Sequence, residues 1–269
     1  HLIAAKYVVL VNMEPENRPT RRVQAAETAF TILETLNQND GMRLTELADE
    51  LGMAKSTIHR YLKTLLANEY VVKEENNEYY LSLRFLDFGF QTRNRKPGYQ
   101  LAEQKIKELA EETNERAQFI VEEHGKAVYV HREAGSHAIQ TDPGIGKRVQ
   151  LHATAAGKSI MAEWSDERIK EYIEENELSA LTSNTITDEE ALLKEIEKIR
   201  ERGYSVNHGE NIDGLRAIGV SIVPGSRGVL GAFSVSGPIN RLDDEAFEKE
   251  LTSLLMGFAN EVELNLEYT

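Results

Sequence analysis

The stretch MAKSTIHRYLKTL, residues 53–65, predicts a helix with apolar residues on one face and polar residues on the opposite face. The apolar positions, predicted to face a core, are Ala54, Ile58, Leu62 and Leu65. The opposite face has no acidic residue and carries Lys55, Ser56, His59, Arg60 and Lys63. Arg60 can donate two hydrogen bonds to guanine, and Ser56 and His59 can reach base edges or phosphates. Because Lys55 and Lys63 suit phosphate contacts, the strip indicates recognition of double-stranded DNA.

Further residues extend this candidate DNA contact. Thr45 and Thr57 lie near predicted helix starts, where a hydroxyl can donate to a phosphate. Arg21 and Arg22 precede the first predicted helix, on an arm that can touch a minor groove or the backbone. Two alternatives stay open at this point. The strip is either a solvated face of an ordinary three-helix domain, or part of a helix-turn-helix that contacts only protein.

The elements that position the strip follow a helix-turn-helix pattern. VQAAETAFTILETLNQ predicts a first helix with the apolar positions Val23, Ala26, Phe30, Leu33 and Leu36. LTELADEL predicts a second helix, with Thr45 as its cap and Gly52 as its left-handed stop. EYVVKEENNEYYLSL predicts a β-hairpin with Asn76-Asn77 at its tip. The pattern is that of a winged helix, whose third helix enters the major groove.

The remaining chain predicts a linker and a second domain. We expect residues 1–20 to be a tag, a leader or disordered, because His1 is not a native start and Met13 is a plausible one. Residues 21–92 form the predicted winged helix-turn-helix DNA-binding domain, and 93–114 a Pro-Gly hinge with a linker helix. Residues 115–269 alternate short strands with helices, which indicates an α+β domain.

Within that second domain, the patterns place individual elements. Strands are predicted in AQFIVEE, AVYVHREA, HAIQTD, RVQL, GYSVNHG, AIGVSIVP and VLGAFSVSG. Helices are predicted at about 155–175, 188–202 and 243–267. Thr187 and Glu190 resemble a capping box for the second of these, and Gly203 is expected to end it.

Composition narrows the class of protein. The chain has 269 residues and a formal net charge of -14, with residues 13–96 at -1 and residues 97–269 at -14. An asymmetry of this kind indicates different partners for the two parts. Cysteine is absent, which fits a reducing cytosol and excludes disulfides and thiolate sites. No run of about 18 apolar residues occurs, so we expect a cytoplasmic protein without a transmembrane helix.

Catalytic patterns are weak. HATAAGKS, residues 152–159, ends like a phosphate-binding loop, but His152 stands where the required glycine would be, which argues against NTP hydrolysis. No histidines are paired at the spacing of a helical metal site, and we expect neither a metal nor a cofactor. Ser234 and Ser236 share one strand face without a partner pattern that marks a nucleophile. We therefore expect no enzyme, while a metabolic enzyme with an accessory winged helix and a protein-interaction adaptor remain alternatives.

Several motifs in one order resemble the IclR family of transcription regulators. RLTELADELGMAKSTIHRYLKTLLANEYV is similar to that family's DNA-binding helices, and YYLSLRFLDFG to the exit from its wing. LHATAAGKSIMA resembles its effector-domain motif, and GYSVNHGENIDGLRAIGVSIV and GVLGAFSVSGP resemble the strands that close its ligand pocket. The resemblance implies a winged helix, a linker helix and an α+β (GAF-like) effector-binding domain.

The resemblance also implies a function and a pocket. Such proteins are typically dimers or tetramers that repress or activate catabolic genes in response to a small carboxylate or aromatic metabolite. The residues implied to line the pocket are Ala155, Ala156, Asn207, Leu215, Ala217, Ser234 and Ser236. Many family members carry an acidic residue where Asn207 stands, so this pocket has lost a charge. We expect a homo-oligomer bound to a DNA operator, with ligand shifting the arrangement of its DNA-binding domains.

Overall fold

The computed structural model describes residues 22–139, 144–242 and 245–268, so the predicted contact of Arg21 lies outside the described residues. The chain forms two compact units, divided between Gly89 and Phe90. The elements of the first unit are α1 (Gln24–Gln38), β1 (Met42–Arg43), α2 (Leu44–Glu50), α3 (Lys55–Ala67), β2 (Val71–Lys73) and β3 (Glu78–Leu81). Helix α4 (Arg84–Asn94) follows and crosses the division.

The first unit is the predicted winged helix. Its three-stranded antiparallel sheet has the order β1-β3-β2, so the short strand before α2 adds to the hairpin. Gly52 has φ +62° in the turn between α2 and α3, and Asn77 has φ +65° at the wing tip. Ile58, Leu62 and Leu65 are buried against residues of α1 and α2, as the helical spacing predicts.

Three local predictions for this unit are wrong. Ala54 is exposed and precedes α3 as its cap residue. Thr45 lies inside α2, whose cap position is taken by Arg43; the Arg43 amide donates to the Glu46 carboxylate at 2.8 Å. The buried stripe of α1 is centred on Ile32 and Leu36, while Phe30 is 61% exposed.

The second unit contains a six-stranded antiparallel sheet of order β6-β5-β4-β9-β8-β7. Its strands are β4 (Arg116–Glu123), β5 (Lys126–Ala134), β6 (Arg148–Gln150), β7 (Ser205–His208), β8 (Leu215–Ile222) and β9 (Gly231–Pro238). Its helices are α5 (Pro97–Thr113), α6 (Ala155–Ala162), α7 (Asp166–Glu175), α8 (Glu189–Arg202), α9 (Ile239–Leu242) and α10 (Glu245–Glu267). This confirms the predicted α+β class.

Two apolar clusters sandwich the sheet. One joins α5 and α10 to it through residues such as Ile106, Phe119 and Leu255. The other joins α6, α7 and α8 through residues such as Ile160 and Ile196. Helix α6 therefore lies within the core, and all of its residues are buried.

Several predicted boundaries in this unit differ from the structure. Pro97 and Gly98 begin α5 instead of forming a hinge. His137–Ile139 are not in a strand, and the rest of HAIQTD lies outside the described residues. The predicted helix 155–175 is two helices, α6 and α7. Asp188, not Thr187, caps α8 by accepting from the Ala191 amide at 2.9 Å. Within the described residues, no helix is long and apolar enough to cross a membrane.

Candidate functional site

The outward face of α3 is the first candidate site. Lys55, Ser56, His59, Arg60 and Lys63 are all exposed on it, while Ile58, Leu62 and Leu65 fix the opposite face in the core. None of these five polar side chains makes a hydrogen bond or ion pair to the residues that the structure describes. Their donors are therefore available to a partner in solution, in the arrangement that major-groove recognition requires.

The other predicted DNA-contact residues differ in how exposed they are and in whether they already have a partner within the protein. Thr45 is exposed in the first turn of α2, and Thr57 is half-buried in the first turn of α3. The Thr57 amide donates to the carbonyl of Ala54 at 2.8 Å, so only its hydroxyl remains for a phosphate. Arg22 is exposed and pairs with Glu27 at 3.3 Å, a surface contact that a phosphate can replace.

The second candidate site is a pocket at the start of α6, over one face of the sheet. The space measures about 490 Å³, including the part that opens to solvent. It brings together all of the predicted effector residues, namely Ala155, Ala156, Asn207, Leu215, Ala217, Ser234 and Ser236. They come from α6, β7, β8 and β9, and strand pairing explains the convergence: Ala217 lies opposite Asn207 on one side and opposite Ser236 on the other.

The N-terminus of α6 supplies the polar end of this pocket. Thr154 caps the helix by accepting from the Gly157 amide at 3.0 Å. The amides of Ala155 and Ala156 belong to the first turn, so no carbonyl within the helix can accept from them. Gly219 of β8 lets the helix approach closely, because a Cβ there would lie 2.8 Å from the Ala156 nitrogen. A helix N-terminus with free amides favours the binding of an anion.

Further lining residues were missed by sequence reasoning. They are Gln118, Ile120, Tyr129, Thr154, Asn211, Ile212 and Arg216. Gln118 donates to the Ser236 hydroxyl at 2.8 Å, and this contact joins strands that meet only in the folded sheet. Burial raises the pKa of Tyr129, which keeps its hydroxyl protonated and able to donate. Alternation along β4 and β5 was the only signal that could have placed Gln118 and Tyr129 on the pocket face.

Charge around the pocket is arranged for a neutral or anionic ligand. Among the described residues that line it, none is acidic. The Arg216 guanidinium donates to the Leu242 carbonyl and the Glu248 carboxylate, so its charge is balanced within the protein. Asn207 donates to the Ala153 carbonyl at 2.6 Å and accepts from the Glu210 amide at 3.0 Å. It therefore holds two neighbouring loops in place as well as lining the pocket.

Lys158, in the motif that resembles a phosphate-binding loop, lies below the pocket in the core. Its ammonium donates to the two carboxylate oxygens of Glu210 at 2.7 and 2.8 Å and to the Val206 carbonyl at 2.9 Å. The lysine side chain is 1% exposed, so it cannot reach a nucleotide. Lys158 instead fastens α6 to the loop that carries Asn211 and Ile212 over the pocket.

The histidines do not assemble a metal centre in the part of the chain that the structure describes, where no group of three candidate ligands occurs. Burial lowers the pKa of His131 to about 4 and also lowers that of His152. The ring of His152 lies within 3.5 Å of the Tyr172 hydroxyl and 3.3 Å of the Ser179 carbonyl. These neutral rings act as packed core groups.

Comparison with known proteins covers both units. Residues 96–264 match the family model described as "Bacterial transcriptional regulator IclR C-terminal", and residues 25–75 match "IclR helix-turn-helix domain". A probable HTH-type transcriptional regulator ArcR of Halobacterium salinarum is 32% identical over 261 residues, which cover 95% of this chain and 99% of that protein. The HTH-type transcriptional regulator KdgR of Escherichia coli is 29% identical over 261 residues, with 96% and 98% covered.

Solved structures share the architecture. The crystal structure of Thermotoga maritima IclR superposes with a TM-score of 0.76 at 28% identity, covering 92% of this chain and 100% of that chain. An IclR homolog from Microbacterium hydrocarbonoxydans, solved in complex with 4-hydroxybenzoate, has a TM-score of 0.79 at 20% identity. It covers 91% of this chain and 100% of its own, and at this identity it shows a common fold alone.

Proposed function

The chain belongs to the IclR family of transcriptional regulators, and from this premise we propose that it is a homo-oligomer in which a bound metabolite controls operator binding. As a member of this family it is a DNA-binding regulator with a C-terminal effector domain, and it is not an enzyme. The alternatives of a metabolic enzyme and of an adaptor that avoids DNA are thereby set aside. We also propose a cytoplasmic location, because a regulator that binds DNA must reach the chromosome.

The observation that carries the DNA-binding proposal is the outward face of α3. Arg60 lies near its middle, where a guanidinium can pair with guanine, and Lys55 and Lys63 flank it for phosphate contacts. In an oligomer with two-fold symmetry, two copies of α3 occupy half-sites about one helical turn of DNA apart. The operator is therefore a pseudo-palindrome.

Selection of bound duplexes from a random DNA pool tests this proposal, followed by measurement of affinity against salt concentration for the winning sequence. We expect a palindromic sequence whose affinity falls steeply with salt, because phosphate contacts release counterions. Recovery of no enriched sequence at any salt concentration contradicts sequence-specific binding by this chain.

For the effector, the pocket favours a small carboxylate that also carries hydrogen-bonding groups. A carboxylate fits the first-turn amides of Ala155 and Ala156. Ser234 and Tyr129 present hydroxyls to the remainder of the ligand, and Tyr129 is the only aromatic among the described lining residues. The 4-hydroxybenzoate bound by the Microbacterium protein combines a carboxylate with a ring, so an aromatic acid is the second class to test.

A thermal-shift screen of small hydroxy, keto and aromatic carboxylates, each beside its uncharged amide, tests the effector proposal. A true effector raises the melting temperature and changes operator affinity, whereas its amide does neither. Because a ligand shifts an equilibrium only through differential affinity, binding that leaves operator affinity unchanged contradicts the regulatory part.

Apolar exposure supports a homo-oligomer. In the first unit, Phe30 on α1 is 61% exposed and Leu86 on α4 is 68% exposed. Large apolar side chains concentrated on two helices fit a surface that another copy covers. Sedimentation at concentrations that saturate the operator distinguishes a dimer from a tetramer. A monomer under those conditions contradicts the proposal.

A further inference from the structure

The end of α3 is held by the beginning of α4 through one side chain. Helix α3 ends at Ala67, and Glu69 adopts φ +62° as the chain reverses. The last carbonyls of a helix receive no hydrogen bond from an amide of that helix, and the carbonyl of Asn68 is one of them. Arg84, the first residue of α4, donates from its guanidinium to this carbonyl at 3.0 Å.

The same guanidinium contacts aromatic rings on both sides of this junction. It lies 4.9 Å from the ring centre of Tyr70, which follows α3, and 5.7 Å from that of Phe88 in α4. Tyr70, Phe85 and Phe88 form one group, with ring centres 5.7 to 6.4 Å apart. Arg84 also lies 3.6 Å from the Glu69 carboxylate. One planar cation thus joins the end of α3, the following turn and the face of α4.

Helix α4 contacts the end of α3 through Arg84 and through the rings of Phe85 and Phe88, which pack on Tyr70. None of its residues is buried, and it runs through the division between the two units at Gly89 and Phe90. Within one copy, α4 buries little apolar surface against the winged helix, and its exposed Leu86 belongs to the surface proposed above for a second copy. Contacts at its first turn therefore decide how its direction relates to α3.

We infer that Arg84 is a positioning residue that couples the direction of α4 to the recognition helix α3. The inference rests on the proposed function, in which a change in the effector unit must reach two copies of α3 on one operator. When α4 changes direction, Arg84 carries the end of α3 with it. The spacing of the two recognition helices then changes without any change in their base contacts.

The test uses full-length protein and the operator recovered by selection with the wild type. Affinity is measured for the operator, for operators lengthened or shortened by one or two base pairs between half-sites, and for a single half-site. We expect the wild type to bind operators of altered spacing about tenfold or more weakly, a loss comparable to that of one mismatched base pair. For Arg84→Ala, the affinities for the operator and for operators of altered spacing should differ by about threefold or less. Its affinity for a single half-site should stay within about twofold of the wild-type value.

Two further variants sharpen the result. Arg84→Lys keeps the charge but not the planar stacking, so it should restore only part of the spacing preference. Arg168→Ala is the matched control, because Arg168 pairs with Glu122 at 2.9 Å and lies 4.1 Å from the Trp164 ring in the effector unit. It should leave spacing preference unchanged.

Two outcomes overturn the inference. One is an Arg84→Ala protein that rejects altered spacing as strongly as the wild type. The other is an Arg84→Ala protein that loses half-site affinity as much as operator affinity, since Arg84 then supports α3 or the DNA contact directly. Failure of the wild type to enrich any palindrome is a different result, and it contradicts the proposed function instead.

Discussion

Replacement of Lys158 by methionine should destabilise the effector unit strongly. Methionine keeps most of the apolar stem and removes the ammonium group. The Glu210 carboxylate, on a side chain only 6% exposed, then loses donors at 2.7 and 2.8 Å, and the Val206 carbonyl loses one at 2.9 Å. Breaking a buried ion pair from one side costs about 3–5 kcal/mol, because the remaining charge stays out of water.

That cost is large enough to measure by calorimetry or urea unfolding. For a unit of this size, each kcal/mol lowers the melting temperature by roughly 2–4 °C, so we expect a fall of about 10 °C. Lys194→Met is the matched control. Lys194 pairs with Glu190 at 2.7 Å, but its side chain is 65% exposed, so its loss should cost less than about 1 kcal/mol.

The double variant separates the ion pair from simple packing. Lys158→Met with Glu210→Gln removes both charges of this pair, and the neighbouring Glu195, 3.9 Å from the Lys158 ammonium, stays paired with Arg202 at 2.9 Å. The double variant should therefore recover at least about 1 kcal/mol relative to the sum of the single changes. Hydrogen exchange should also accelerate across residues 209–214 in the single variant, because Glu210 anchors that loop. Equal costs for Lys158→Met and Lys194→Met, or strict additivity in the double variant, would refute the assignment of Lys158 as a buried anchor.

Three other predictions concern DNA and the pocket. Arg60→Ala should weaken operator binding by about 1–3 kcal/mol and relax the sequence preference at one base pair. Lys63→Ala should leave the sequence preference unchanged and reduce by about one the slope of log affinity against log salt concentration, which binding measured across salt concentrations would show. Glu74→Gln with Glu75→Gln, at the exposed wing tip, should tighten binding to a random-sequence duplex by roughly twofold per residue at low salt, because each carboxylate repels phosphates; weaker binding would mean that the wing carboxylates contact bases. Ser234→Ala should lower effector affinity by about tenfold in calorimetric titration while leaving operator binding without effector unchanged; equal effector affinity would remove Ser234 from the site.

The arrangement of elements was predictable from the sequence where local signals agree. Ile58, Leu62 and Leu65 in α3, the left-handed Gly52 and the wing tip at Asn77 each carry a strong local preference, and the structure confirms them. The hairpin between β4 and β5 was also predictable, since His124 and Gly125 both adopt positive φ there.

The buried face of α1 was predictable only in part: Leu36 is buried as predicted, whereas Phe30 is exposed and Ile32 is buried instead. Both Phe30 and Ile32 precede Leu36 at helical spacing, and only packing against α2, α3 and the sheet decides between them. The caps of α2 and α8 failed for a related reason. Neighbouring residues can each cap a helix, and the backbone conformation at Arg43 and Asp188 selects one.

The candidate pocket was predictable in part. The resemblance of HATAAGKS to the IclR effector motif implied the residues of α6, and the alternation of β9 put Ser234 and Ser236 on one face. Gln118 and Tyr129 come from strands far away in sequence, and their contribution depends on sheet order, which periodicity alone does not reveal. The pairing of Lys158 with Glu210 likewise joins positions that no local spacing relates.

The contact between α6 and Gly219 divides the pocket into parts that can and cannot be redesigned. Every residue of α6 is buried, and a side chain at position 219 would strike the backbone of Ala155 and Ala156. We expect larger side chains in that wall to destabilise the unit. An engineer who wants a biosensor for a new metabolite should therefore keep α6 and β8 fixed. Diversity belongs at Ser236 and Ile212, which line the pocket and are partly exposed, whereas Ser234 is 2% exposed.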